Sequence, residues 1–112
     1  STVVYQGYAG PIPLKKVIAI DDFIAREARP DLTILLDLEA KIGLRRALKI
    51  KPKDRMESKS LIFHKKVRKG FRDLARRNKK RIKLIDSRNS VEETQEAVRK
   101  EILKYLKKIE IY

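Results

Sequence analysis

From Leu14 to Ala28 the apolar residues Leu14, Val17, Ile18, Ile20, Phe23 and Ile24 recur at helical spacing, with Asp21, Asp22 and Arg26 among the polar positions. A helix is predicted there, stopped by Pro30. Residues 31–38, Asp-Leu-Thr-Ile-Leu-Leu-Asp-Leu, are too short for most helices and apolar without alternation, the pattern of a strand buried on both faces. A second helix is predicted from about Glu39 to Ile50, with Ile42, Leu44, Ala47 and Leu48 inward and Pro52 marking its break. Beyond a basic loop, Ser58 or Ser60 caps a third helix carrying Phe63, Val67, Phe71 and Leu74, which ends near Asn78. Arg81 to Asp86 alternates and then turns apolar, as a second strand does, and the Ser87-Arg88-Asn89 turn follows it. Ser90 with Glu93 forms a capping box for a final helix, whose buried stripe is expected at Val91, Val98, Ile102, Tyr105 and Ile109. Its early acids (Glu92, Glu93, Glu96) and late lysines (Lys104, Lys107, Lys108) agree with the helix dipole. The opening Ser1–Gly10 receives no element, because Pro11 and Pro13 bar a helix until Leu14.

Helix, strand, helix, loop, helix, strand, helix is the order of α/β units on a parallel sheet. Two strands alone do not make such a sheet stable, and burying both faces of residues 32–38 calls for neighbouring strands that the sequence does not supply. The expectation is therefore an incomplete domain.

Composition alters this picture in only a few respects. A length of 112 residues bounds the chain at one domain or part of one, and 42% hydrophobic residues suffices for a core. There is no cysteine, hence no disulfide framework, thiolate nucleophile or cysteine metal site, and a lone histidine, His64, provides no multi-histidine site. His64 itself is expected at the surface. No apolar run is long enough to span a bilayer and the first residues lack the form of a secretion signal, so a cytoplasmic protein without a membrane partner is expected. The net charge of +14 calls for anionic partners without choosing among nucleic acid, a membrane surface and nucleotide phosphates. Eleven of the 29 cations lie between Lys65 and Lys83, where Asp73 is the one acid, so much of the imbalance belongs to one helix face.

The candidate chemistry centres on residues 45–58. Arg45, Arg46, Lys49, Lys51, Lys53 and Arg55 sit there between two helical patterns, a density that suits phosphate groups. A solvated basic linker is the plainer reading.

Four segments, in order, carry a resemblance to a known family. They are Ser-Thr-Val-Val-Tyr-Gln-Gly at 1–7 and Arg-Pro-Asp-Leu-Thr-Ile-Leu-Leu-Asp-Leu at 29–38. Asp-Arg-Met-Glu at 54–57 follows, with Phe-His-Lys-Lys-Val-Arg-Lys-Gly-Phe at 63–71, and then Ile-Asp-Ser-Arg-Asn-Ser-Val-Glu-Glu at 85–93. The set resembles the carboxy-terminal portion of the thymidylate kinase family, P-loop enzymes that move the γ-phosphoryl of ATP to dTMP in dTTP biosynthesis. The resemblance implies part of a P-loop kinase fold, a parallel sheet flanked by helices in three α/β/α layers, with the amino-terminal half missing. Residues 1–112 would be the carboxy-terminal part of a single nucleoside-monophosphate-kinase domain, with its lid at about 45–58. The family's Gly-x-x-x-x-Gly-Lys-Ser/Thr loop does not begin at Gly7, Gly10, Gly43 or Gly70, the only glycines here. A chain acting with a separate P-loop segment or chain, and inactive alone, is the expectation.

Carried over residue by residue, the resemblance places Ser1, Thr2, Tyr5 and Gln6 against the thymine and deoxyribose of dTMP, with Glu57 as an orienting partner for a cation or sugar hydroxyl. Arg46 is implied to lie on the ATP adenine, and Ser87, Arg88 and Asn89 to border it, largely through backbone groups. Arg55, Lys49 and Lys51 are the catalytic lid cations, Arg55 being the best match to a family residue, since phosphoryl transfer needs charge neutralisation more than covalent help. Asp37 at a strand end could pass for a magnesium ligand, and the resemblance makes it structural, leaving no metal ligand in the chain. ATP and Mg2+ are the implied cofactors, the metal bound mainly by the missing half. A homodimer is implied, with the Leu14–Ala28 helix as a plausible surface. A basic α/β module binding nucleic acid without catalysis is the alternative, with the cations of 65–83 as its phosphate contact, ranked lower because aromatics are scarce among those cations, Phe71 alone standing there.

Overall fold

The computed structural model of the chain describes residues 1–26, 28–50 and 59–109. After a π-helical segment at Val3–Tyr8 come α1 (Leu14–Ala25), β1 (Thr33–Asp37), α2 (Ala40–Ile50), α3 (Leu61–Arg77), β2 (Ile82–Asp86) and α4 (Val91–Lys108). β1 and β2 pair in parallel, Thr33 opposite Ile82 through Asp37 opposite Asp86. The sheet is thus parallel and flanked by helices, the α/β arrangement of part of a P-loop kinase fold.

The period-2 alternation of the strands sends neighbouring side chains to opposite layers. Asp37 meets Arg68 of α3, whereas Leu36 faces a cleft walled by α4. Helix starts follow the capping signals: Ser60 Oγ accepts from Phe63 N at 3.2 Å, and Ser90 Oγ accepts from Glu93 N at 3.1 Å. The core is small and aliphatic. Val3, Val4, Val17 and Val67 are buried where the π-helical segment packs against α1 on one side and α3 on the other, and Ala40, Ala75, Ile82 and Ile85 are buried between helices and sheet.

Several expectations are corrected. The opening ten residues hold a π-helical turn, closed by Ala9 N donating to Val4 O at 2.9 Å. The prolines that exclude an α-helix lie beyond this turn and leave it untouched. α1 ends at Ala25 rather than Ala28, Ala28 N turning back onto Ala25 O at 2.9 Å. β1 is not buried on both faces, since Leu36 is 54% exposed: among the described residues nothing pairs with its second edge or covers that position. The stripe expected on α4 is largely open for the same reason, with Val91 at 68% and Ile102 at 39% exposure and Ile109 also exposed. Leu48, expected inward, is 49% exposed near the end of α2. No described helix is long and apolar enough to cross a membrane.

Candidate functional site

Two clefts lie on either side of the junction where both strands end. The first is bounded by the π-helical turn and α3. Tyr5, half-buried, sets its ring 6.2 Å from Phe63 and 6.1 Å from Phe71, the latter edge-on. Phe63 and Phe71 are eight residues apart, just over two turns, so they share one face of α3. With Asp37, His64 and Arg68, the Tyr5 and Phe71 rings line a cleft of about 330 Å³. Ser1, Thr2 and Gln6 are exposed at the same end of the chain.

The backbone here is tightly specified. A Cβ on Gly10 would lie 2.5 Å from Gln6 O and 2.6 Å from Tyr5 O, so the chain leaves the π-helical turn along a path open only to glycine. Tyr8 donates to Asp73, tying the turn to α3. Burial, then the bond to Asp73, pushes the Tyr8 phenol up from its ordinary value. The bond from Tyr8, with the Arg76 guanidinium next, holds the Asp73 carboxyl below the usual carboxylate range.

The strand ends meet at Asp37. Its carboxylate accepts from Arg68 Nε at 3.0 Å and Nη2 at 3.1 Å, while Arg72 stands 3.9 Å away. The bond to Asp37 pushes the Arg68 guanidinium up from its usual range. The Asp37 carbonyl accepts from both Ser87 N (3.0 Å) and Ser87 Oγ (2.9 Å), joining β1 to the turn after β2.

That turn makes the second cleft. Arg46, in the last turns of α2, donates from Nη1 to Ser87 O at 2.9 Å and from Nη2 to Arg88 O at 2.8 Å. Both bonds lie along the edge of the guanidinium, leaving its flat faces free. Arg46, Ser87 and Asn89 share a cleft of about 560 Å³ with the apolar Leu36, Val91 and Val98. The Arg88 side chain turns away to Asp86, bonding from Nε at 2.9 Å, and this bond holds the Asp86 carboxyl below the usual carboxylate range.

The geometry thus brings Arg46, Ser87 and Asn89 together, with Arg88 contributing its carbonyl, and sets Tyr5 against α3. Lys49 is exposed in the last turn of α2. Lys51, Arg55 and Glu57 lie outside the described residues.

The thymidylate kinase family model matches residues 1–98. The chain belongs to the thymidylate kinase family. Among its relatives, a thymidylate kinase of Kosmotoga olearia is 38% identical over 109 residues, covering 97% of this chain and 52% of that protein. One of Symbiobacterium thermophilum is 39% identical over 100 residues, 89% of this chain and 46% of that protein. One of Syntrophotalea carbinolica is 41% identical over 99 residues, 83% and 46% respectively. The chain spans about half the length of these thymidylate kinases.

Sequence reasoning reached Asp37 as a structural residue but passed over its partner Arg68 and the pairing of Tyr8 with Asp73, contacts that organise this part of the chain. Arg68 and Asp37 are 31 positions apart and Tyr8 and Asp73 are 65 apart, separations at which no spacing rule operates. The Phe63 and Phe71 stripe was visible as periodicity, but not as a platform for Tyr5. His64 is corrected from a surface residue: its ring stands edge-on to Phe63, centroids 5.4 Å apart, and its Nε2 is buried without a hydrogen-bond partner among the described residues.

Proposed function

We propose that this chain supplies the dTMP-base segment, the lid and the adenine-side turn of a dTMP kinase, which transfers the γ-phosphoryl of ATP to dTMP to give dTDP. What supports the reading most directly is the Arg46 fork on Ser87 O and Arg88 O, because it joins the helix that leads into residues 51–58 to the turn expected to border adenine. A guanidinium held by its edge above an apolar cleft of about 560 Å³ fits a purine face. On the other side, Tyr5 held by Phe63 and Phe71 suits crowding of a sugar 2′ position, with Ser1, Thr2 and Gln6 as polar partners for a pyrimidine edge. Residues 1–112 are then the carboxy-terminal part of one nucleoside-monophosphate-kinase domain.

ATP brings Mg2+, which neutralises phosphate charge when bound. Among the described residues no three acids or imidazoles converge to cradle that ion, and Asp37 is already gripped by Arg68. Arg55, Lys49 and Lys51 bring positive charge to the transferred group, and Glu57 orients a cation or sugar hydroxyl. The exposed Ile20, Phe23 and Ile24 of α1 suit a homodimer contact, and the protein works in the cytoplasm with soluble nucleotides.

The test is dTDP formation by the full protein, supplied with a P-loop segment where that lies on another chain, with dTMP and UMP compared. Transfer to dTMP in preference to UMP is expected, and Arg46→Ala should raise the KM for ATP about tenfold while the KM for dTMP holds, as for loss of a cation–π contact worth roughly 1–2 kcal/mol. Equal use of UMP, or an Arg46→Ala effect confined to dTMP, would overturn the assignment.

A further inference from the structure

Beside the first cleft, with which it shares Ala40 and Arg68, the outer face of α3 and the edge of β2 enclose a third and larger one, of about 830 Å³. Lys65, Lys69, Arg72 and Arg76 stand along it at successive intervals of four, three and four residues, so they form one row on the helix. Lys79 and Lys83 continue the row past the helix end. At about 1.5 Å per residue, Lys65 to Arg76 covers roughly 16 Å.

The acids on this cleft do little to neutralise it. Asp73 is engaged by Arg76, Arg77 and Tyr8, and Glu101 lies 3.7 Å from Lys104. Glu39 is the third. Among the described residues no carboxylate lies within 4.0 Å of the Lys65, Lys69, Lys79 or Lys83 ammonium group. The floor between these cations is apolar, formed by Ala40, Ala75, Ile82 and Leu84. A concave surface of one sign with low-dielectric walls concentrates potential in the groove.

We propose that this groove binds the sugar-phosphate backbone of a nucleic acid duplex, independently of sequence. The length of the row decides for a polymer: roughly 16 Å, carried further by Lys79 and Lys83, exceeds what the phosphates of a mononucleotide occupy and suits the repeating charge of a duplex, one per about 3.4 Å of axis on each strand. The chemistry of the lining decides for the backbone and for a duplex. No aromatic side chain lines the groove, so unpaired bases find nothing to stack on, whereas ammonium and guanidinium groups meet phosphates without reading bases. An anionic bilayer is flat and does not enter a concave groove. Phe71, the one aromatic among the cations of 65–83, lines the first cleft and not this groove, and the scarcity of aromatics counts only against base stacking.

The experiment is fluorescence anisotropy of the purified protein with a labelled duplex of about 20 base pairs, titrated at several salt concentrations. Sequence-blind binding is expected, with log K falling against log salt at a slope of about −4, as for four to five neutralised phosphates. Lys69→Glu/Lys79→Glu, two exposed positions, should lower that slope by about 2, while Lys107→Glu/Lys108→Glu, exposed at the far end of α4, leaves it unchanged. Unchanged circular dichroism and thermal midpoints would show both variants folded. Four results would each overturn the proposal: no binding at 50 mM salt, tighter binding to the single strand or to phosphatidylserine vesicles, displacement by ATP or dTMP, or equal weakening by the α4 pair.

Discussion

Replacing Gly70 by alanine puts a methyl group into the contact between α3 and the π-helical turn. Its Cβ would lie 2.8 Å from Tyr8 Cβ, 2.9 Å from Tyr8 Cγ and 3.1 Å from Val4 Cγ1. Carbon atoms rest at about 3.5–4.0 Å, so all three contacts are too close. None of these atoms yields easily. The Tyr8 atoms are the stem of a ring whose hydroxyl is bonded to Asp73, and Val4 is fully buried. Overpacking of this kind costs about 1–3 kcal/mol, while alanine in a helix interior gains roughly 0.8–1.0 kcal/mol over glycine. The expected net is a loss of about 1 kcal/mol, or a fall in Tm of roughly 4 °C. Thermal and urea unfolding of Gly70→Ala measure it directly. The sign carries the weight, because an uncrowded helical glycine would give stabilisation. A Tyr8→Ala background removes the ring, and there Gly70→Ala should become neutral or favourable. If Gly70→Ala raised Tm in the wild-type background, the packing of the turn against α3 described above would be wrong.

Two further outcomes follow from the ion pairs. Asp37→Asn should destabilise the chain by about 2 kcal/mol, since it removes a charge-assisted pair in which the Asp37 side chain is 14% exposed. A shifted urea midpoint with the Mg2+ dependence of transfer unchanged is expected; the converse would make Asp37 a metal ligand. Tyr8→Phe should flatten the acid limb of stability. Asp73 is held below its ordinary range in the folded chain, so its contribution is present above the unfolded carboxylate value and lost as pH falls through the folded one. Removing the leading cause of that depression shrinks the loss below about pH 4, read from Tm against pH. An acid limb identical to wild type would contradict the Tyr8 to Asp73 bond.

The regular elements were legible because their periods are local. Leu61 to Arg77 repeats its apolar positions every three or four residues, and Ser60 and Ser90 announce their helices within one turn. The opening turn was not legible: a π-helix has no residue preference to betray it, and what fixes it is contact with Gly70 and Asp73, more than sixty positions away. The stripe of Val91, Ile102 and Ile109 shows the opposite failure. Their apolar pattern states a demand for burial that the described residues do not meet, so periodicity located the face and misjudged its exposure. At the site, recognition of local segments reached Arg46, Ser87 and Asn89, but the bonds that gather them cross from one segment to another.

Arg46 reads carbonyl oxygens at positions 87 and 88, not the side chains there. A carbonyl is common to all residues, so the identity of the side chain at 88 is invisible to the contact. What the junction requires is whatever keeps the backbone path, namely Asp86 accepting Arg88 N at 3.0 Å and Ser87 Oγ donating to Asp37 O. The contact thus asks nothing of the side chain at 88, while Asp86 and Ser87 hold the shape that Arg46 grips.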